Sequence, residues 1–441
     1  MEFQLTKNQQ EIFDLIENTN NNYLVHGKPG VGKSVLINAL TEHGNKSYTL
    51  CAPTGLAALN IGGKTLHVTF QIPVFNGIIT PDYTAPRKMY PDTVNFLRFG
   101  LKHLIIDEIS MVRADILDYI DRLLKEVKNS SAPFGGTQVI VVGDFYQLPP
   151  IINSAEAKQF KEYGYRSGFA FDAKCFDTFT TVSLNEVLRQ KGDNTFIDLL
   201  HGARTGEVLP KYMVKLNERV GNVTDLRMRL VAQNKQSESI NAEELRKLPG
   251  EVIEFHADSF GTWPAFPVDT VLTLKPGAQV IVKKNNADRN PSAPRGKFEG
   301  KVVNGTLGIV TEICEGNADE GEPMWVKIRM RNDEEVKIYR ARWERTVREK
   351  NSERKWEERT VASFEQIPLA LAWAISMHKS QGQTFESVHI DASKIFAAGQ
   401  LYVALSRAKS LAGISLESRV SRDKFYANNE VIRFEKEMLS K

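Results

Sequence analysis

Cysteine is scarce: Cys51, Cys175 and Cys314 are the only three in 441 residues, far apart, with no CxxC pair and no Cys/His cluster. That spacing argues against a disulfide framework or a zinc site and suits a reducing compartment. No run approaches the roughly 18 apolar residues of a membrane-spanning helix, so no membrane partner is expected, and "MEFQLTKNQQEIF" lacks a basic-then-apolar signal pattern. An excess of one charge is missing too, with 57 Lys and Arg against 54 Asp and Glu, a net +3. A protein that coats a polyanion with its whole surface is thereby excluded; any nucleic acid would lie in a local groove. What remains is an ordinary soluble composition, 41% hydrophobic and 25% charged, long enough for about three domains. The expected setting is the cytoplasm, or the nucleus or mitochondrion of a eukaryote, with a monomer in solution.

Against these absences stands "YLVHGKPGVGKSVLINAL", where Gly27, four residues, then Gly32-Lys33-Ser34 separate an apolar strand from an apolar-periodic helix. Glycines let backbone N–H groups curl around phosphates at a helix N-terminus. Gly30, Val31, Gly32, Lys33, Ser34 and Val35 are thus the candidate cradle for ATP, with Lys33 on the β/γ-phosphates and Ser34 on Mg²⁺. "LKHLIIDEIS" ends a second strand in Asp107-Glu108. Asp107 suits Mg²⁺ and Glu108 suits the attacking water; a plain helix cap by Ser110 is the bland alternative. In "VVGDFYQLPPI" a third buried strand ends in Gly-Asp and presents Gln147 on a segment stiffened by Pro149 and Pro150. Strand ends in an open α/β sheet gather at one edge, so Gln147 is expected beside the γ-phosphate.

The second half repeats the strand-helix texture without a second phosphate loop, which suggests one nucleotide served by two lobes. Arg189 in "LNEVLRQ" and Arg407 in "LYVALSRAK" are the candidate cations for the phosphoryl group in transition. "WAISMHKSQGQTFESVHID" is polar where a buried element is expected. It reads either as a capped loop or as a coupling element, with His378, Lys379 and Ser380 toward a polyanion and Gly382 toward nucleotide.

In order, "GKPGVGKS", "APTGLAALNIGGKTLHVTF", "IIDEISMVRADILDYI", "PFGGTQVIVVGDFYQLPP", "LNEVLRQ", "PLALAWAISMHKSQGQTF" and "GQLYVALSRAK" resemble the motif series of superfamily-one helicases. The likeness is greatest to the PIF (petite integration frequency) family, relatives of RecD-type enzymes, and spans about residues 5 to 415. It implies an α/β fold of two RecA-like parallel-sheet lobes, with a wedge-type insertion in the first and an SH3-like β-barrel inserted in the second. The expected boundaries are 1–185 for the first lobe, with 71–100 as the wedge, 186–250 and 360–441 for the second, and 251–359 for the β subdomain. The resemblance further implies ATP- and Mg²⁺-driven movement 5′ to 3′ on single-stranded DNA with unwinding of duplex or forked DNA, and Gln9 reading adenine. Polarity comes wholly from the resemblance.

By the same likeness, Pro53, Thr54, Gly55, Lys64, Thr65, His67 and Phe70 would line the single-strand track, and Phe75 would stack on a base pair. His67 reads equally well as a core or capping histidine, and Phe75 reads better as a buried loop anchor. The loop from Lys283 to Lys301 holds six basic residues against two acidic and is a candidate DNA guide or a merely solvated loop. "RARWERTVREKNSERKWEER", with eight basic and five acidic residues, reads as a solvated connector. Two other functions stay open: a translocase or RNA-directed helicase that leaves DNA duplexes closed, and a nucleotide-gated binding module without strand separation.

Overall fold

The computed structural model describes residues 5–72, 77–80, 83, 89–186, 193–221, 228–263, 266–290, 302, 304–316, 323–350 and 356–439. The α/β chain divides into two compact units. One comprises Met1–Leu216, Ile395–Ser406 and Ser421–Lys441, the other Asn217–Lys394 and Arg407–Val420. Among the described residues, no helix is long and apolar enough to cross a membrane.

The first unit is built on a parallel six-stranded sheet of β1 (Asn22–Gly27), β2 (Tyr48–Ala52), β3 (Lys64–Thr65), β4 (His103–Ile106), β5 (Gln138–Gly143) and β6 (Phe179–Leu184), in the order β3-β2-β4-β5-β1-β6. β1 and β5 are buried along their whole length, as continuous apolar runs covered on both faces must be. Helix α1 (Lys7–Asn18) and helix α2 (Lys33–His43) pack Ile12, Ile16, Leu36, Ile37 and Leu40 on Tyr23, Val25, Ile140 and Val142. Helix α3 (Ala114–Lys128) is strongly amphipathic and buries Leu117, Ile120, Leu123 and Leu124. Because β1, β4 and β5 are adjacent and parallel, the segments after all three leave the sheet at one edge.

The boundary between units differs from the expected 185/186. Helix α4 (Asn194–Thr205), helix α5 (Gln400–Ser406) and the C-terminal helix α6 (Asn429–Leu439) belong to the first unit. The cause is specific contact: Arg204 of α4 meets Asp144 and Glu435, Tyr402 of α5 meets Asp144, and Phe434 of α6 stacks on Phe171 at 4.5 Å between ring centroids.

The second unit holds a parallel four-stranded sheet ordered Ala374–Ser376, Met228–Val231, Val388–Ile390, Ile414–Leu416, with helix Asn234–Lys247 following Met228–Val231 as expected. It also holds an antiparallel five-stranded sheet ordered Glu335–Tyr339, Trp325–Met330, Leu307–Cys314, Gln279–Val282, Leu369–Leu371. Val280, Val310, Val326, Ile328, Ile338 and Leu369 form the core beneath it. This sheet lies in the region where the β subdomain was expected, and its last strand falls beyond the expected end at 359. The charged stretch read as a connector is instead a strand, Ala341–Lys350, paired with Trp356–Gln366 from Ala341↔Gln366 to Lys350↔Trp356. The expected cut between 359 and 360 therefore runs through a strand. Phe364 packs there against Trp343 and Trp263.

Candidate nucleotide site and nucleic-acid track

Gly32 caps α2 in the left-handed region, φ +81°, and Gly30 two residues earlier has φ +82°, conformations that L side chains rarely adopt. The turn they permit aims the start of α2 back at the sheet edge. The Lys33 ammonium folds onto its own loop, donating to the Gly27 carbonyl at 2.7 Å and the Lys28 carbonyl at 3.0 Å. Val31 is buried, Val35 half-buried, and Ser34 is exposed on the first turn. Gln9 is almost fully buried, and its amide is engaged at both ends. Oε1 accepts from the Thr6 N–H at 2.9 Å in a capping box, while Nε2 donates to the Gly32 carbonyl at 3.2 Å. In this structure Gln9 braces the phosphate loop.

At the end of β4, the Glu108 N–H donates to Asp107 Oδ1 at 2.9 Å. Glu108 has φ +53°, a left-handed conformation that costs a non-glycine residue about 1–3 kcal/mol and persists only where surroundings enforce it. Burial, then the neighbouring Glu108 carboxylate, pushes Asp107 up to about 7, against the Lys33 ammonium. A carboxylate whose charge is opposed by burial and by a neighbouring carboxylate suits a divalent cation, and Mg²⁺ takes few protein oxygens beside substrate phosphates, so Ser34 and Asp107 fit it chemically. Ser110 caps nothing: its buried hydroxyl has no hydrogen-bond partner among the described residues. Gln147, after β5, is 5% exposed, and its Oε1 likewise finds no partner there. A buried orphan acceptor costs about 1–3 kcal/mol, which a ligand's donor would recover.

Behind Gln147 lies a cluster that sequence reasoning missed. Asp144 is fully buried and accepts from the Tyr402 hydroxyl at 2.8 Å and from Arg204 Nε at 3.4 Å. Burial would raise its pKa, but Arg204, His26 and Lys33 together hold the carboxyl below the usual range. Arg204 Nη2 donates to His26 Nε2 at 3.0 Å, which leaves the imidazole proton on Nδ1. Burial above all lowers His26 from 6.5 to about 4; Asp144 opposes this and Arg204 adds to it. Below pH 6.5 the unfolded chain therefore takes up a proton that the folded chain refuses. Stability present above 6.5 is lost as pH falls towards about 4. Urea unfolding should show this as a loss of about 2 kcal/mol between roughly pH 7 and pH 4.5 that is absent from a His26→Gln variant. Equal pH slopes in the two proteins would contradict the buried neutral imidazole.

The expected track residues of the first unit divide. Thr54 accepts from the Ala57 N–H at 3.2 Å and Thr65 from the Val68 N–H at 3.3 Å, so both hydroxyls start helical turns. Pro53 and Gly55 are half-buried, and Lys64 is exposed. His67 is half-buried with a lowered pKa, from burial first and then Arg113. Phe70 is 0% exposed and belongs to the core, a correction to its expected place on the track: the four-residue helix Leu66–Thr69 turns it inward. Phe75 and Arg189 lie outside the described residues, as do residues 291–301 of the basic loop.

In the second unit, Lys379 is exposed and His378 half-buried. Ser380 is a second correction, because it is fully buried and its hydroxyl donates to the Met377 carbonyl at 2.8 Å, closing the turn from within. Gly382 has φ +76°. Arg407 is buried, with Nη1 donating to the Gln383 carbonyl at 2.9 Å and the Ser380 carbonyl at 3.4 Å. The buried Gln383 amide beside it has no partner at either end among the described residues. Lys283, also unforeseen, is pushed down to about 8 by burial and then by the Lys379 ammonium. Two ammonium groups that repel one another would both gain from an anion.

Residues 4–210 match the family profile of PIF1-like helicases, and residues 371–415 that of the UvrD-like helicase C-terminal domain. The chain is 34% identical over 452 residues to the ATP-dependent DNA helicase PIF1 of Danio rerio, covering 98% of this chain and 64% of that protein. Among solved structures it is similar to Bacteroides Pif1 in complex with ADP-AlF4, with 34% identity, 99% of this chain and 97% of that one covered, and a TM-score of 0.84. It is also similar to Bacteroides Pif1 bound to ssDNA, with 35% identity, 99% and 97% coverage, and a TM-score of 0.72. The chain spans about three fifths of the length of the curated relatives it matches.

Proposed function

The chain belongs to the PIF1-like helicase family, and from that premise we propose that it is an ATP-dependent DNA helicase moving 5′ to 3′ on single-stranded DNA. The observation that carries the reading is the shared sheet edge, where the phosphate loop, the Asp107-Glu108 pair and Gln147, whose buried Oε1 has no partner among the described residues, follow three adjacent parallel strands. Lys33 and the loop amides bind the phosphates, Ser34 and Asp107 would hold Mg²⁺, and Glu108 takes the proton of the attacking water. Mg²⁺, when bound, neutralises charge on the β- and γ-phosphates. Gln147 bonds the γ-phosphate or the water without competing for the cation, and Gln9 relays adenine recognition to the loop it braces. By motif position alone, Arg407 and Arg189 are the residues that would supply positive charge to the transition state.

Lys64 and His67, and separately Lys283, His378 and Lys379, contact phosphates of the strand, with no group among them that reads bases. The working form is a monomer in a reducing compartment, and forked DNA is the substrate. A nucleotide-gated binder would have no use for a full hydrolytic set. ATP hydrolysis at saturating Mg²⁺ should rise about tenfold or more with single-stranded DNA and much less with RNA of the same sequence, as fits an enzyme whose hydrolysis is stimulated by the strand it grips. Equal stimulation by RNA would favour the RNA-directed alternative.

A further inference from the structure

The segment Asp144–Phe145–Tyr146, which delivers Gln147, is gripped residue by residue from α4, α5 and α6. Glu435 of α6 sits at the centre. Its Oε2 accepts from the Tyr146 hydroxyl at 2.6 Å, and its Oε1 accepts from Arg204 Nη1 and Nη2, both at 3.1 Å. The Arg204 guanidinium lies 4.0 Å from the centroid of the Tyr146 ring and reaches on to Asp144. Phe434 meets Phe145 edge-on at 5.3 Å, and Arg433 donates to Asp172 at 2.8 Å, so three consecutive residues of α6 fasten this region. Gly399 has φ +81°, and a Cβ there would stand 2.5 Å from the Gln147 carbonyl and 2.6 Å from that of Tyr146. The Gln147 Oε1 is left for a ligand, since it is buried and has no partner among the described residues.

We infer that Glu435, acting through Tyr146 and Arg204, is a positioning residue for Gln147, and that the C-terminal helix is thereby a working part of the hydrolytic site. The inference rests on the reading of Gln147 as the amide that meets the γ-phosphate or its attacking water. Its physical basis is that an amide on a short turn is aimed only as well as that turn is fixed, and small displacements of a reacting group cost large factors in rate. Breaking one member of a buried ionic network also leaves the others uncompensated, so Asp144 and Arg204 would shift together.

The test compares Gln147→Ala, Glu435→Ala, Tyr146→Phe and the double variant Gln147→Ala/Glu435→Ala in steady-state ATP hydrolysis on saturating single-stranded DNA. Gln147→Ala should lose about 100-fold in kcat, Glu435→Ala about tenfold and Tyr146→Phe about threefold, with KM for ATP within about twofold of wild type throughout. The double variant should be no slower than Gln147→Ala alone, because Glu435 has nothing left to position. A merely structural Glu435 would instead give losses that multiply, or a KM that rises with the fall in kcat, and either result overturns the inference. So would a wild-type kcat in Glu435→Ala beside an impaired Gln147→Ala. If Gln147→Ala itself hydrolyses at the wild-type rate, the assignment of Gln147 is what fails. Should Glu435→Ala not fold, Tyr146→Phe decides, since it removes one hydroxyl and keeps the ring over Arg204; an unchanged kcat there overturns the inference.

Discussion

Replacing Lys33 by Ala is expected to abolish ATP hydrolysis, with a loss in kcat/KM of about 10³-fold or more in a preparation freed of contaminating ATPases. The ammonium is already gathered against the Gly27 and Lys28 carbonyls, so it lies on the loop whose backbone would cradle the phosphates. Among the described residues, the cations near it in the first unit are otherwise placed. Arg204 is committed to Asp144, His26 and Glu435, and Lys28 is exposed. The fold should survive, because Lys33 is only half-buried and its partners are carbonyls at a loop surface; an unfolding midpoint close to wild type would separate lost chemistry from lost structure. Phosphate release within about twofold of wild type would remove the assigned site, since a dissociative transition state offers little to stabilise except charge.

What was legible beforehand was whatever is local in the chain. The phosphate loop, the acidic pair and Gln147 each follow an apolar strand, and apolar runs ending in glycine or acidic residues announce strand ends without any tertiary information. The nucleic-acid track was less legible. Phe70 and Ser380 sit in polar-looking stretches, yet one short helix turns Phe70 into the core, and the turn of Ser380 uses up its own hydroxyl. Burial of a single side chain within a mixed segment is set by packing, which spacing does not encode. The strand Ala341–Lys350 was missed because its alternation is written in charged residues, which read as solvated until the partner strand Trp356–Gln366 is known.

The cluster around Asp144 was the least readable part. His26, Asp144, Arg204, Tyr402 and Glu435 are scattered over more than 400 residues, and each alone is a commonplace side chain. Only the fold brings them together. Arg204 lies in an unremarkable helix and Glu435 near the chain's end, where no motif draws the eye. The misplaced domain boundary has the same root. Helices α4, α5 and α6 lie in the stretches expected for the second lobe, but their buried ionic and aromatic contacts assign them to the first unit.

The central claim is directional strand separation driven by ATP. It is tested by one duplex carrying a single-stranded tail on either its 5′ or its 3′ side, with ATP, Mg²⁺ and a trap for the released strand. The 5′-tailed substrate should open in full and the 3′-tailed one stay closed, with neither opening when Lys33 is replaced. Opening of the 3′-tailed duplex alone would keep the motor and overturn its polarity. If neither opens although single-stranded DNA stimulates hydrolysis, the chain is a translocase and the unwinding claim is wrong.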